Sequence, residues 1–211
     1  MIELDSITFM YPHSSTPVLR DFSSRFERGA ITAVRGRNGC GKTTLTKLIV
    51  GILRPSEGNV TIDGCDAASM NLFEIGRIIG YIFQNPNRQL FSDTVFNEVA
   101  YGLRNLKMEE TQITQKVNYY LELFDLDRYR KIYPGKMSLG EKQRLALAAV
   151  LALGTEYLVL DEPTTGLDTR NQLELGDLLI KLKHVRNSGI VIVSHSADFI
   201  ARCADRELVM R

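Results

Sequence analysis

The feature that most constrains this chain is the segment Gly36-Arg37-Asn38-Gly39-Cys40-Gly41-Lys42-Thr43, which matches the pattern GxxxxGK[ST]. The apolar run Ala30 to Val34 before it reads as a buried strand, and Lys42 to Leu53 after it reads as a helix stopped by Pro55 and Gly58. The glycines therefore fall at a strand-to-helix joint, where the backbone can wrap an anion with its N–H groups and the helix start adds positive potential. The expected ligand is a nucleotide phosphate chain. Lys42 would reach its outer oxygens and the Thr43 hydroxyl would face magnesium, so a nucleoside triphosphate with Mg2+ is expected here. Arg37, Asn38, Gly39, Cys40, Gly41 and Thr44 complete the candidate nucleotide contacts. By itself this joint leaves kinases, GTPases and many other nucleotide-binding proteins open.

The rest of the chain supplies an α/β frame for that loop. Ile2 to Phe9 and Val18 to Phe26 alternate as paired strands, and Asn59 to Asp63 reads as another edge strand with a turn at Asp63-Gly64. From about 84 to 154 the pattern becomes mostly helical, with Ile113, Val117, Tyr120, Leu121 and Phe124 on one helix face, and this stretch is expected to form a helical lobe. Strand and helix then alternate again: Tyr157 to Leu160, a helix carrying Leu175, Leu178, Leu179 and Leu182, and Ile190 to Val193. Such alternation predicts a mainly parallel sheet with ligands at the carboxyl ends of its strands. One domain over 1–211 is the expectation for this length.

Composition narrows the possible partners. With 26 Lys+Arg against 25 Asp+Glu, no basic footprint suggests nucleic acid, and none is expected as a partner. The longest apolar run, Leu145 to Leu153, falls far short of the roughly 20 residues that span a bilayer, and no leader pattern opens the chain. A cytoplasmic protein, at most peripheral to a membrane, is expected. Cys40, Cys65 and Cys203 fit no zinc or CxxC spacing and read as reduced thiols. Cys40 lies near a helix start that favours thiolate, so sensitivity to alkylation is expected there; the plain alternative is a small packing residue.

Two further segments carry chemistry. The strand Tyr157 to Leu160 runs into Asp161-Glu162-Pro163, so two carboxylates emerge at the sheet edge that bears the phosphate loop. Asp161 suits a magnesium position, and Glu162 is placed to polarise an attacking water. Met137-Ser138-Leu139-Gly140-Glu141-Lys142-Gln143-Arg144 opens an apolar helix, and Ser138 with Glu141 three residues on forms a capping box that explains the string structurally.

Ser138, Gly140 and the following Glu-Lys-Gln-Arg also resemble the signature of ATP-binding cassette (ABC) ATPases, and from there the resemblance extends over nearly the whole chain. It implies a P-loop NTPase fold of ABC type: a mainly parallel sheet core, an N-terminal antiparallel β region and a helical subdomain. Tyr11 resembles the aromatic that stacks on adenine. Gln84, after the strand Ile79 to Phe83, resembles the Q-loop glutamine that contacts magnesium and the attacking water. Gly166-Leu167-Asp168 resembles the D-loop that crosses to a partner subunit, and His195 resembles the switch histidine that contacts the γ-phosphate. Glu162, His195 and Gln84 are thus the implied catalytic set, Thr43, Gln84 and Asp161 the metal set, and Ser138, Gly140, Glu141 and Asp168 the groups offered to the second subunit of a head-to-tail dimer.

The string Phe83-Gln84-Asn85-Pro86-Asn87-Arg88-Gln89-Leu90-Phe91, with Thr94 to Asn105 behind it, is similar to the ATPases of energy-coupling-factor (ECF) transporters and related cobalt or nickel importers. That similarity implies a second ATPase, identical or paralogous, and a transmembrane coupling protein docking near Gln84 to Tyr101, with the chain held on the inner face of the cell membrane. Another ABC transporter, or a soluble regulatory ABC protein without a membrane partner, is the alternative. Two departures stand out. Leu139 replaces the first signature glycine, adding a side chain where a backbone approaches the partner's phosphate, so pairing with a paralogue of intact signature is expected. The sequence stops at Arg211, and a C-terminal dimer-stabilising region of ECF type is expected to be missing.

Overall fold

The computed structural model describes residues 1–210. Its strands are β1 (Ile2–Phe9), β2 (Leu19–Phe26), β3 (Ile31–Gly36), β4 (Glu57–Ile62), β5 (Cys65–Asp66), β6 (Ile79–Ile82), β7 (Tyr157–Asp161), β8 (Gly189–Val193) and β9 (Arg206–Met210). Between them run α1 (Lys42–Ile49), α2 (Leu72–Ile78), α3 (Val95–Asn105), α4 (Glu110–Leu123), α5 (Leu139–Ala152), α6 (Thr169–Arg186) and α7 (Ala197–Cys203). β2, β1, β4 and β5 form an antiparallel sheet, and β6-β7-β8-β3-β9 a second sheet whose pairs are all parallel.

The parallel sheet is covered on both faces, which is why its strands are apolar throughout. Every residue of β7 and β8 is buried. Alternation along them feeds two cores. Tyr157 and Val159 of β7 and Val191 and Val193 of β8 meet the antiparallel sheet and α1. Leu158, Leu160, Ile190 and Ile192 meet the helices on the other side, including Leu145, Leu147 and Leu151 of α5 and Leu175, Leu179 and Leu182 of α6. The predicted helix face of Ile113, Val117, Tyr120 and Leu121 lies in α4 and faces this second core, with Phe124 just past its end.

Two sequence expectations need correction. The helix after the phosphate loop ends at Ile49, short of Leu53, because Gly51 takes a left-handed φ of 73° that ends the helix before Pro55 can act. The strand at 57–62 is not the edge of its sheet: the turn at Asp63 (φ 50°) and Gly64 (φ 80°) returns the chain as β5, so β4 has a partner on each side. The helices α2 and α7, seven residues each, are too short to show a clear apolar period in the sequence. All three cysteines are free.

Gly58 shows how closely the antiparallel sheet is packed. Its φ is +82°, and a Cβ there would stand 2.4 Å from the carbonyl oxygens of both Asp5 and Ser6, where β1 bulges opposite β4. Gly64 shares the positive φ, but a Cβ there meets nothing within 4 Å. Gly58→Ala is therefore expected to lower the free energy of unfolding by roughly 2–4 kcal/mol, combining the left-handed penalty with overpacking. Gly64→Ala should lose only about 1 kcal/mol of backbone cost, and urea denaturation of both variants checks the contrast.

Candidate active site

Because β6, β7, β8 and β3 are parallel, their carboxyl ends share one edge, and the candidate residues arrive there from separate loops. The helix after β3, α1, packs in the core on one face of the sheet, whereas α7, after the neighbouring β8, packs in the core on the other. That is a topological switch point, where α/β sheets open a crevice. Gly39 (φ 84°) and Gly41 (φ 96°) turn the loop from β3 into α1. Gly41 offers α1 no capping side chain, so the first-turn N–H groups are left to a ligand.

Lys42 is only 7% exposed. Its Nζ donates to the carbonyls of Gly36 (3.0 Å) and Arg37 (3.2 Å), which compensates a buried ammonium and holds it over the loop. The side chain of Cys40 turns under the loop: its Sγ lies where a Cβ on Gly36 would stand only 2.5 Å away, and it packs beside the apolar core. Cys40 does not line the crevice, whereas Asn38, Gly39, Gly41, Lys42, Thr43 and Thr44 do.

The crevice, about 600 Å3, also takes in Tyr11, Gln84, Glu162 and His195. The Tyr11 hydroxyl is 3.1 Å from Thr44 Oγ1, and its ring stands edge-on to Phe9. Glu162 adopts φ 50°, unusual for a residue other than glycine, and is held there by its N–H donating to Val193 O at 2.9 Å. The two carboxylates enter different spaces. Glu162 lines the crevice with His195, whose Nε2 is 3.1 Å from Glu162 Oε1. Asp161 instead lines an adjoining cleft of about 750 Å3 with Tyr81, Leu139 and Gly166, and Thr43 and Gln84 border both spaces.

Burial raises the Glu162 carboxyl above its ordinary range, and the charges of His195 and Lys42 only partly offset this. On the other side, Asp161 Oδ1 is 3.4 Å from Thr43 Oγ1 and Oδ2 is 3.3 Å from the Tyr81 hydroxyl. A hydroxyl and one carboxylate are hard oxygen donors of the kind Mg2+ accepts beside phosphate oxygens and water. Among the described residues no cage of three or more His, Cys, Asp or Glu side chains forms.

Ser138, Gly140, Glu141 and Asp168 do not line the crevice. Ser138 caps α5 reciprocally with Glu141, and the Tyr129 hydroxyl donates to Glu141. Asp168 caps α6, accepting from Asn171 N at 2.8 Å, and a Cβ on Gly140 would meet Asn171 Oδ1 at 2.7 Å. Leu139 lies against Gly166 of its own chain, with Cδ2 2.7 Å from where a Cβ on that glycine would be. Arg37 faces a neighbouring cleft shared with Asn38, Ser194 and His195.

Sequence reasoning missed the groups that shape the loop after Gln84. Gln89 Nε2 donates to Tyr81 O (3.2 Å) while its Oε1 accepts from Phe83 N (3.3 Å), continuing β6 with a side chain. Glu98, 5% exposed, accepts from the N–H groups of Phe91 and Ser92, and Lys142 of α5 donates to Asn87 Oδ1. Val18, Thr164 and Ser196 also line the crevice without any motif to announce them.

A glycine loop between strand and helix, a buried lysine folded over it, and two carboxylates at the end of a neighbouring parallel strand define a P-loop nucleoside triphosphatase. The family described as ABC transporter matches residues 19–165, more than half of the chain, and the chain belongs to that family. It is an ABC ATPase, the ATP-binding and hydrolysing subunit of a transporter. A Pyrococcus furiosus protein named as an ABC transporter ATP-binding protein is 43% identical over 210 residues, spanning 100% of this chain and 80% of that protein. The energy-coupling factor transporter ATP-binding protein EcfA of Methanothermobacter thermautotrophicus is 40% identical over 212 residues, spanning 100% of this chain and 68% of EcfA.

Among solved structures, cbiO1 of Clostridium perfringens, part of the ABC transporter complex cbiONQ, superposes with a TM-score of 0.91 at 31% identity, covering 100% of this chain and 84% of that one. An ATP-binding cassette dimer in a post-hydrolysis state with ADP and Pi superposes at 0.87 with 25% identity, covering 100% of this chain and 94% of that one. No helix among the described residues is long and apolar enough to cross a membrane.

The raised Glu162 pKa has a consequence for stability. A carboxyl whose folded pKa exceeds its ordinary value of 4.5 contributes stability at low pH that is lost as pH rises through the folded value. Glu162→Gln is therefore expected to melt above the parent at neutral pH, with the difference shrinking as pH falls toward 4.5. Thermal melts across that range check it.

Proposed function

We propose that this chain energises an ECF-type importer of vitamins or transition-metal ions, working as a head-to-tail dimer with a second ATPase, identical or paralogous, beneath a transmembrane coupling protein. The observation that carries the reading is an exposed aromatic pair beside the Gln84 loop. Phe91 is 64% and Tyr101 49% exposed, and their rings meet edge to face at 4.7 Å. Both belong to the strings that resemble those of ECF ATPases, and large exposed aromatics supported by a rigid loop suit a protein partner. The EcfA relative and the likeness to cbiO1 support the same reading.

In the reaction, the loop N–H groups and Lys42 bind the β- and γ-phosphates of ATP, and Tyr11 packs on the adenine. Mg2+, held by Thr43 and Asp161 with Gln84 nearby, would neutralise charge on the phosphoryl group. Glu162 orients a water and accepts its proton as the water oxygen bonds to the γ-phosphorus and the bond to the ADP oxygen breaks. His195, 3.1 Å from Glu162, holds that carboxylate and reaches the γ-phosphate. Ser138, Gly140, Glu141 and Asp168 lie outside this chain's own crevice, which fits groups offered to the other subunit. The helices between about 84 and 154 then act as the lobe that moves with γ-phosphate contacts.

Two measurements test the reading. Glu162→Gln should lower ATP turnover by roughly 10²–10⁴ while ATP binding persists, and turnover near that of the parent would remove Glu162 from the role. Affinity capture of the protein from its native membranes, followed by mass spectrometry, should recover a polytopic coupling protein and decide whether a second ATPase accompanies it. Phe91→Ala with Tyr101→Ala should lose that protein yet keep ATP binding. Recovery of no membrane protein would overturn the importer assignment.

A further inference from the structure

Tyr81 lies on β6, outside every motif, yet its hydroxyl sits between two functional elements. It is 3.3 Å from Asp161 Oδ2 at the end of β7 and 3.3 Å from Thr46 Oγ1 on α1. Thr46 Oγ1 in turn donates to the carbonyl oxygen of Thr43 at 2.9 Å. The protons can be assigned. An ionised carboxylate only accepts, so the single phenolic proton of Tyr81 goes to Asp161, and the Thr46 proton goes to Thr43 O. With both protons so placed, none is left for the Tyr81–Thr46 contact, and the far oxygen of Asp161 is held by Tyr81 alone, while the near oxygen, Oδ1, faces the Thr43 hydroxyl at 3.4 Å.

The holder is itself rigid. Tyr81 pairs with Val159 of β7 on one side, its carbonyl accepts from Gln89 on the other, and its ring stands at 89° to that of Phe83, 5.0 Å between centroids. Asp161 is buried, at 6% exposure; Tyr81 holds its Oδ2, and Oδ1 accepts only the long contact from the Thr43 hydroxyl, which leaves it the oxygen placed to meet a cation. A carboxylate that coordinates a metal is commonly fixed by an outer hydrogen bond, and this arrangement has that form.

We propose that Tyr81 is a positioning residue for magnesium: its hydroxyl fixes the rotation of the Asp161 carboxylate so that Oδ1 faces the cation beside Thr43. This inference rests on the reading of Asp161 and Thr43 as the Mg2+ ligands. It concerns the affinity of the site for the metal, and it leaves the binding of the nucleotide's sugar and base untouched.

The test compares the parent, Tyr81→Phe, Asp161→Asn and the double variant in the full-length protein. ADP affinity is measured by calorimetry across a Mg2+ titration and again in EDTA, with thermal melts alongside. Tyr81→Phe removes one hydrogen bond and changes little else. It is expected to raise the Mg2+ concentration for half-maximal enhancement of ADP binding about three- to tenfold, with ADP affinity in EDTA unchanged. In the Asp161→Asn background the same change should have no further effect on the Mg2+ requirement, because the anionic oxygen that Tyr81 orients toward the cation is gone.

An unchanged Mg2+ requirement in Tyr81→Phe, with a raised one in Asp161→Asn, would overturn the role of Tyr81 and leave the metal reading standing. If Asp161→Asn also left the Mg2+ requirement unchanged, the metal reading would fall, and this inference with it. Equal weakening of ADP binding with and without Mg2+ in Tyr81→Phe would mark a merely structural tyrosine and overturn the proposal.

Discussion

The site depends on the parallel pairing of β6, β7, β8 and β3. Each pair is in register over at least four residues, so four chain segments far apart in sequence finish at one edge within reach of one another. Parallel pairing demands crossover connections, and the helices that make them cover both faces and exclude water from the strands. Had any strand slipped by one residue, its apolar alternation would have turned to the wrong core and its terminal functional residue would have moved with it. The burial of every residue in β7 and β8 holds Asp161 and the turn before His195 in fixed positions.

On that edge the protein handles charge by separation. Consecutive carboxylates on an extended strand would point to opposite sides, and the left-handed Glu162 places them beside different partners. Asp161 meets hydroxyls, from Thr43 and Tyr81. Glu162 meets His195 in a partly buried position where desolvation dominates and its proton affinity rises, in keeping with the proton-accepting role proposed for it. Lys42 resolves the opposite problem, a cation nearly out of water, by bonding to two loop carbonyls that a phosphate chain can replace. Tyr81, half-buried beside Asp161, has its own ionisation pushed up to about 12 by desolvation, so it remains a neutral donor at any working pH.

The loop after Gln84 obeys a similar economy. Gln89 imitates a neighbouring strand at the end of β6, and Glu98 closes the loop onto α3 through two backbone N–H groups. Lys142 ties Asn87 to the start of α5, the helix that Ser138 and Glu141 cap. A displacement at the exposed Phe91 therefore has a short bonded route both to Gln84 and to the signature helix, through contacts that hold the loop as one piece.

Much of this was legible in the sequence because it depends on local chemistry. Glycines at a strand-to-helix joint, a Ser-x-x-Glu box and apolar runs of period two or three and a half each state their conformation without reference to distant residues, and the loop, the two carboxylates and most strands were placed by them. Where local signals competed, reading failed: Gly51 ended α1 before Pro55 could, and the turn at Asp63-Gly64 turned an expected edge into an interior strand. What only the tertiary structure decided are the pairings between residues far apart in the chain: Tyr81 with Asp161, Thr43 with Asp161, Gln89 with its own strand end, Leu139 with Gly166. Such contacts arise from the order in which strands pack, and strand order is set by the summed burial of two cores, a property that no short stretch of sequence carries.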